Sequence, residues 1–122
     1  MYQTLWIPGR LPGLNEVINE NRANRFQAAK TKKKLTNDIA ILAKSQLRPI
    51  WGARFTFFWK EINRKRDPDN ISSAKKFILD GLVKAGILEN DGWNQVISLS
   101  DFFFIDRDNP GVKVRIDFIS GF

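Results

Sequence analysis

The chain of 122 residues contains neither cysteine nor histidine. A fold without these residues cannot depend on disulfides or a zinc site, so a packed apolar core must hold it together. An apolar content of 43%, with ten Phe and four Trp, supplies that core, and the length suits one domain over residues 1–122. The same absence excludes Ser-His-Asp hydrolases, zinc enzymes and nucleases with a histidine base. Catalysis would therefore need carboxylates, Lys, Arg, Tyr or hydroxyls, together with an oxygen-ligated cation such as Mg²⁺.

The net charge of +7 is typical of a protein that binds a polyanion. Residues 1–66 hold fourteen Lys and Arg against four Asp and Glu, whereas residues 67–122 hold six against nine. This boundary favours phosphate binding beside metal-binding carboxylates, although basic proteins without catalytic function have similar totals. No segment approaches the roughly 20 apolar residues that span a bilayer, and none has a signal-peptide pattern. We therefore expect a soluble, intracellular protein without a membrane partner.

Apolar periodicity alternates between helix and strand along the chain. The order β-α-β-α-β-β predicts the α+β class, with two helices packed on one mixed or antiparallel sheet and the last two strands forming a hairpin. The predicted elements are a strand over 2–7, one long helix or two over 15–47 capped by Asn15, a strand over 53–62, a helix over 71–84 capped at Gly86, and strands over 95–105 and 112–119.

Three cations directly precede an Asp-x-Asp pair between Arg64 and Asn70, after the aromatic strand and at the start of a helix. Asp67 and Asp69 at one strand end can share a divalent cation, and a helix N-terminus can bind phosphate. An extended chain over 85–91 is long enough to return Asp91 to the same end of the helix. The alternative is that Asp67-Pro68-Asp69-Asn70 is only a turn and a helix cap.

A basic cluster on the first helical segment predicts salt-sensitive contacts to a nucleic-acid backbone, because no acidic residue lies between Ala23 and Asn37. Lys75 and Lys76 on the second helix either reach a phosphate or lie on a solvated helix face. The predicted DNA-binding residues are Arg22, Arg25, Lys30, Lys32, Lys33, Lys34, Arg64, Lys65, Arg66 and Lys75.

The aromatic residues leave two interpretations open. Trp51, Trp59, Trp93 and the run 102–104 suit base stacking, but in a small sheet protein such residues more often form the core or a dimer interface. Three further acids, Asp80, Asp101 and Asp117, are possible auxiliary groups, although a helix face, a strand end and a solvent-facing strand position explain them without catalysis.

The chain resembles the RusA family of Holliday junction resolvases over most of its length. The resemblance is carried by Leu11 to Asn15, by Arg66 to Asn70, by Asp80-Gly81-Leu82-Val83-Lys84-Ala85-Gly86, and by Asn90-Asp91 with Gln95-Val96. It implies a homodimeric endodeoxyribonuclease that uses Mg²⁺, with Mn²⁺ as a substitute, and resolves four-way DNA junctions by paired nicks in recombination and repair. It also implies a phage or prophage origin, the cytoplasm of a bacterial host, and no small-molecule cofactor.

The resemblance assigns the metal ligands and catalytic carboxylates to Asp67, Asp69 and Asp91. The catalytic lysine of the family lies four residues after the second aspartate, where this chain has Ser73. Counting back from Asp80 selects Lys76 instead, with the neighbouring Lys75 as the alternative, and we expect this lysine to neutralise developing charge. Two alternatives are a non-catalytic basic DNA-binding protein and a metal-dependent nuclease that acts on other branched DNA.

Overall fold

The computed structural model describes residues 1–119 and confirms the α+β class. Four helices and a four-stranded sheet are present in this part of the chain. No helix within it is long and apolar enough to cross a membrane. The elements are β1 (Tyr2–Pro8), α1 (Leu14–Ala23), α2 (Arg25–Gln46), β2 (Ala53–Glu61), α3 (Pro68–Ser72), α4 (Lys75–Lys84), β3 (Val96–Ile105) and β4 (Gly111–Phe118).

The strands lie in the order β1-β4-β2-β3, so the predicted hairpin between the last two strands is wrong. β4 pairs antiparallel with both β1 and β2, whereas β3 pairs parallel with β2. The link between β3 and β4 crosses the end of β2, where the Asp106 amide donates to the Glu61 carbonyl at 2.8 Å. The alternation of apolar and polar residues in β4 determines which face of the strand is buried. It carries no information on which strands lie beside β4 in the sheet.

The first helical segment divides at Asn24, whose side chain accepts a hydrogen bond from the Gln27 amide at 3.0 Å and caps α2. Asn15 does not cap α1, contrary to the prediction, because Gly13 holds the N-cap position. The second predicted helix also divides, into α3 and α4. The Ser73 hydroxyl donates to the Asn70 carbonyl at 2.6 Å at this break and competes with regular helical bonding.

The helix α4 ends as predicted at Gly86, which has φ +75° and therefore adopts the left-handed conformation that glycine tolerates. Its amide donates to the Val83 carbonyl at 3.0 Å and the Ile87 amide donates to the Leu82 carbonyl at 3.0 Å, which is a Schellman motif. This cap turns the chain back along α4, and the returning loop carries Asp91.

The core lies between one face of the sheet and the helices α2 and α4. The apolar residues of α2 point inward, with Ile39 and Ala43 fully buried. At Gly81 of α4 an added Cβ would lie 2.5 Å from Cγ2 of Ile39, so the missing side chain allows the two helices to approach closely. The buried sheet residues include Leu5, Phe55, Phe57, Val114 and Ile116. The helices thus cover one face of the sheet.

Candidate active site

Arg66 is a structural residue in this fold, contrary to its predicted role in DNA binding. Its guanidinium donates to both carboxylate oxygens of Glu61, at 3.0 and 2.8 Å, to the Leu11 carbonyl at 2.9 Å and to Glu16 at 3.0 Å. Both Arg66 and Glu61 are largely buried. Burial alone would lower the pKa of Arg66, but hydrogen bonds to Glu61 and Glu16 raise it overall. Arg66 therefore fixes the segment before Asp67 against β2 and α1.

The two aspartates that follow are exposed, and within residues 1–119 neither forms an ion pair. Asp67 lies at the N-cap of α3 without a side-chain capping bond, and Pro68 occupies the first helical turn. Oδ1 of Asp69 accepts a hydrogen bond from the Asn70 amide at 3.0 Å. A role as helix caps therefore does not account for the two carboxylates, because Asp67 makes no capping bond and Asp69 accepts only the amide of the next residue. Both side chains face solvent.

Asn70 has a structural role that the sequence did not reveal. Its Oδ1 accepts the amide of Asn15 at 2.9 Å, and its Nδ2 donates to Glu16 at 3.3 Å. An added Cβ at Gly13 would lie 2.6 Å from this Oδ1. Asn70 thus joins α3 to the first turn of α1, and only glycine leaves room for it at position 13.

Asp91 lies at the N-terminal end of α4, a position that the length of the 85–91 segment allows. Nζ of Lys76 lies 2.8 Å from Oδ2 of Asp91 and 3.0 Å from Oδ1 of Asp80. The hydrogen bonds with these two carboxylates raise the pKa of Lys76, and the bond from Lys76 lowers the pKa of Asp91. Lys76 is therefore an ammonium held between two carboxylates at the protein surface.

Lys75 does not share this environment, because it points toward the sheet. Its Nζ lies 2.6 Å from Asp101 and 5.7 Å from the centroid of the Phe57 ring, and the Trp59 indole donates to the same Asp101 at 2.8 Å. The side chain of Lys75 is 22% exposed and that of Lys76 is 62% exposed. The geometry thus selects Lys76 as the candidate site lysine and does not support the predicted contact of Lys75 with DNA.

The remaining predicted acids have structural partners. Asp80 binds Lys76 and Asp101 binds Lys75, while Asp117 pairs with Arg115 at 3.2 Å on the outer face of the sheet. Asp101 lies in the middle of β3 and faces the helices, rather than at a strand end. Each of these carboxylates is thereby accounted for by the fold.

The basic cluster of the helical segment lies next to Lys76. Arg25, Lys32 and Lys76 line one cavity of about 430 Å³ between α1, α2 and α4. A second, shallower cavity brings Lys32 and Lys33 beside Asp80. Except for Arg66 and Lys75, the predicted DNA-binding residues are all exposed, namely Arg22, Arg25, Lys30, Lys32, Lys33, Lys34, Arg64 and Lys65, with Lys34 also paired to Asp38 at 2.9 Å.

The three predicted metal ligands do not form one ligand set in this structure. Within residues 1–119, no three Asp, Glu, His or Cys side chains are grouped closely enough to hold a metal ion. Carboxylate oxygens suit Mg²⁺ chemically, but Asp91 is bound to Lys76, while Asp67 and Asp69 stand apart as an exposed pair. In this arrangement the three residues do not fit a single ion.

The aromatic residues divide between the two interpretations. Trp59 belongs to the core with Phe55 and Phe57, whereas Trp93 and the run 102–104 are exposed. The strand β3 is an edge of the sheet, and its helix-side positions Leu99, Phe103 and Ile105 leave 38–45% of each residue exposed. A long apolar edge of this kind is typical of a surface that pairs with another chain.

No protein-family model matches the chain, and no curated protein sequence is significantly similar to it. The likeness to RusA resolvases therefore stays a prediction from the motif residues of the sequence.

Proposed function

We propose that this protein is a homodimeric endonuclease that binds four-way DNA junctions and cuts them in pairs, acting in recombination and repair in the bacterial cytoplasm. The proposal includes a requirement for Mg²⁺, or Mn²⁺ in its place, because the chain offers carboxylates but no imidazole or thiol for this chemistry. A phage or prophage origin is also part of the proposal, on the resemblance to the RusA family alone.

The observation that carries the proposal is the position of Lys76. It lies between Asp91 and Asp80, 15 residues and four residues away in sequence, and it lines the same cavity as Arg25 and Lys32. One surface thus combines a charged lysine, carboxylates and the basic helix. This combination suits a phosphodiester backbone, since cations hold neighbouring phosphates while Lys76 neutralises charge that develops on one of them.

Each part of this surface has a separate task in the proposal. The exposed cations of α1 and α2 bind the DNA backbone without reading sequence. Lys76, like an ordinary lysine, is positively charged at neutral pH, and the hydrogen bonds to its carboxylate partners raise its pKa further. Asp67 and Asp69, exposed and without ion pairs in the described chain, are the groups available to recruit a hard cation.

Two opposed cuts require two copies of the site, and the edge strand β3 supports a two-fold dimer. Antiparallel pairing of β3 with β3 of a second copy would continue the sheet and cover Leu99, Phe103 and Ile105. Natural edge strands usually carry lysines, prolines or bulges that prevent such pairing, and β3 has no Lys or Pro and a register shift only at its first residues.

A comparison of two aspartate variants tests the proposal. Asp69→Asn should keep the affinity for a labelled four-way junction and lose cleavage in Mg²⁺, because it removes a carboxylate without removing a cation. Asp108→Asn, an exposed change in the link between β3 and β4, is the matched control and should cleave normally. Equal loss of binding and cleavage in Asp69→Asn would contradict the separation of roles. Flap, fork and duplex substrates in the same assay test the alternative nuclease. Cleavage of flaps or forks as readily as the four-way junction would identify a nuclease that acts on other branched DNA.

A non-catalytic DNA-binding protein is the second candidate, and one observation favours it. The three aspartates are not assembled around a common point, and Asp91 already has a stable partner in Lys76. Junction binding without cleavage in Mg²⁺ or Mn²⁺ would support this candidate over the nuclease.

A further inference from the structure

The outer face of the sheet carries a pattern that the proposed nuclease does not use. One row of neighbouring positions crosses all four strands, with Trp6 on β1, Lys113 on β4, Phe58 on β2 and Phe102 on β3. At the usual strand spacing of about 4.8 Å, this row is roughly 14 Å long. Three aromatic rings and one cation thus lie side by side on the face away from the helices, with Phe102 exposed and Trp6 and Phe58 half-buried.

Phenylalanine rings on this face of the sheet stack on one another. Phe58 stacks on Phe102 with ring centroids 5.7 Å apart and on Phe104 with centroids 6.2 Å apart. Phe102 and Phe104 are 51% and 48% exposed, so their outer surfaces are open to solvent. The helices pack on the other face of the sheet, and within residues 1–119 no helix covers these rings.

Cations alternate with the rings on the same face. Nζ of Lys113 lies 5.8 Å from the centroid of Phe58, and Nζ of Lys60 lies 5.5 Å from the centroid of Trp6. The guanidinium of Arg115 lies 4.0 Å from the centroid of Tyr2. In the described chain, Lys60 and Lys113 form no salt bridge, and Asp117, which pairs with Arg115 on β4, is the one acid that the strands place on this face. The face is therefore both aromatic and positively charged.

We propose that this outer sheet face is a second nucleic-acid site, which binds single-stranded DNA by stacking unpaired bases on Trp6, Phe58 and Phe102 while Lys113 and Lys60 hold the phosphates. Stacking on a flat sheet needs bases with free faces, and a duplex offers these only at its ends. The basic helices lie on the opposite side of the sheet. The inference does not depend on cleavage, so it goes beyond the proposed function.

Affinity for a fluorescein-labelled oligo-dT of about 12 nucleotides, measured by anisotropy in EDTA, tests the site. Phe102→Leu removes the ring but keeps an apolar side chain, and we expect about tenfold weaker binding, whereas Phe102→Tyr should bind like wild type. Phe26→Leu is the matched control, because Phe26 is an exposed phenylalanine on α2, which packs on the other face of the sheet. Equal affinities of the Phe102→Leu and Phe26→Leu variants would overturn the inference.

The salt dependence and the contact map provide independent readouts. Lys113→Gln should reduce the slope of log affinity against log salt by about 0.7, while Arg48→Gln, an exposed change in the loop after α2, should leave it unchanged. Photo-cross-linking with 5-iodo-deoxyuridine should mark peptides from β2 and β3, and cross-links confined to α1 and α2 would overturn the site.

If Phe102→Leu halves the mass in solution and leaves oligo-dT binding intact, the face is an interface between copies instead. A protein that binds oligo-dT through this face but cuts no junction supports the inference and contradicts the proposed function.

Discussion

Arg66 and Glu61 form the most heavily bonded ion pair of the described chain, and they hold the strand end, the loop at Leu11 and the first turn of α1 in one arrangement. A buried charge that loses its partner is costly, whereas an apolar replacement of both partners is often tolerated. The pair therefore determines where Asp67 and Asp69 emerge from the protein.

Glu61→Ala should lower the free energy of unfolding by about 3 kcal/mol, because it leaves the buried guanidinium of Arg66 without its bidentate partner. Urea denaturation measures the change. The control is Glu89→Ala, which removes an exposed glutamate from the loop between α4 and β3. It should change the free energy of unfolding by less than about 0.5 kcal/mol. The double variant Glu61→Leu with Arg66→Met should recover much of the lost free energy of unfolding, because apolar side chains then replace both partners of the buried pair.

Glu16 makes stability depend on acidic pH. Burial alone would raise its pKa, but hydrogen bonds from its own amide, Arg66 and Asn70 outweigh burial and lower the folded-state pKa below 4.5. The ionised form is thus favoured in the folded protein, and its contribution is complete above pH 4.5 and is lost as the pH falls through the folded pKa. Wild type should therefore lose more stability than Glu16→Gln between pH 6 and pH 3. Identical losses in the two proteins would contradict this role.

At the scale of elements, the contact between α2 and α4 positions Lys76 beside the basic helix. Gly81→Ala would place a Cβ 2.5 Å from Cγ2 of Ile39, so either a helix or this core side chain must shift. We expect a loss of about 1–3 kcal/mol in unfolding free energy, measured by thermal or urea denaturation. Lys84→Ala on the exposed side of α4 gives the same alanine without the contact and should be close to neutral.

The sequence predicts whether a segment is a helix or a strand better than it predicts which strands pair with each other. Apolar periodicity located the strands and the helical segments, and Gly86 marked the end of α4, because these features depend on a few adjacent residues. The pairing of β3 with β2 depends on contacts between distant segments, which local patterns do not encode. Likewise the roles of Arg66, Lys75 and Asn70 follow from partners 26 to 55 residues away in sequence.

For the candidate site, the motif identified residues that the fold brings together in part. Asp91 and Lys76 meet, which the length of the returning loop allows, and Arg25 and Lys32 lie beside them. The sequence could not separate Lys75 from Lys76, because adjacent helical residues differ only in the direction of their side chains. The helix-side position of Asp101 on β3 accounts for that direction.

At the scale of the whole molecule, the exposed edge strand predicts a dimer. Leu99→Lys on β3 should convert the dimer to a monomer, because charge on a buried edge would be desolvated without a partner. Size-exclusion chromatography with light scattering measures the mass. Ile41→Lys replaces an exposed apolar residue on α2, away from β3, and should leave the dimer intact. A monomeric wild type at micromolar concentration would contradict the interface.

The account as a whole depends on whether this molecule cuts branched DNA. The most direct measurement is incubation of a four-way junction, labelled on each strand in turn, with the wild-type protein in Mg²⁺ and in EDTA. We predict nicks at symmetry-related positions of two opposed strands in Mg²⁺ and none in EDTA. Full binding of the junction without nicks in either Mg²⁺ or Mn²⁺ would contradict the account and leave a DNA-binding protein whose aspartates have no catalytic role.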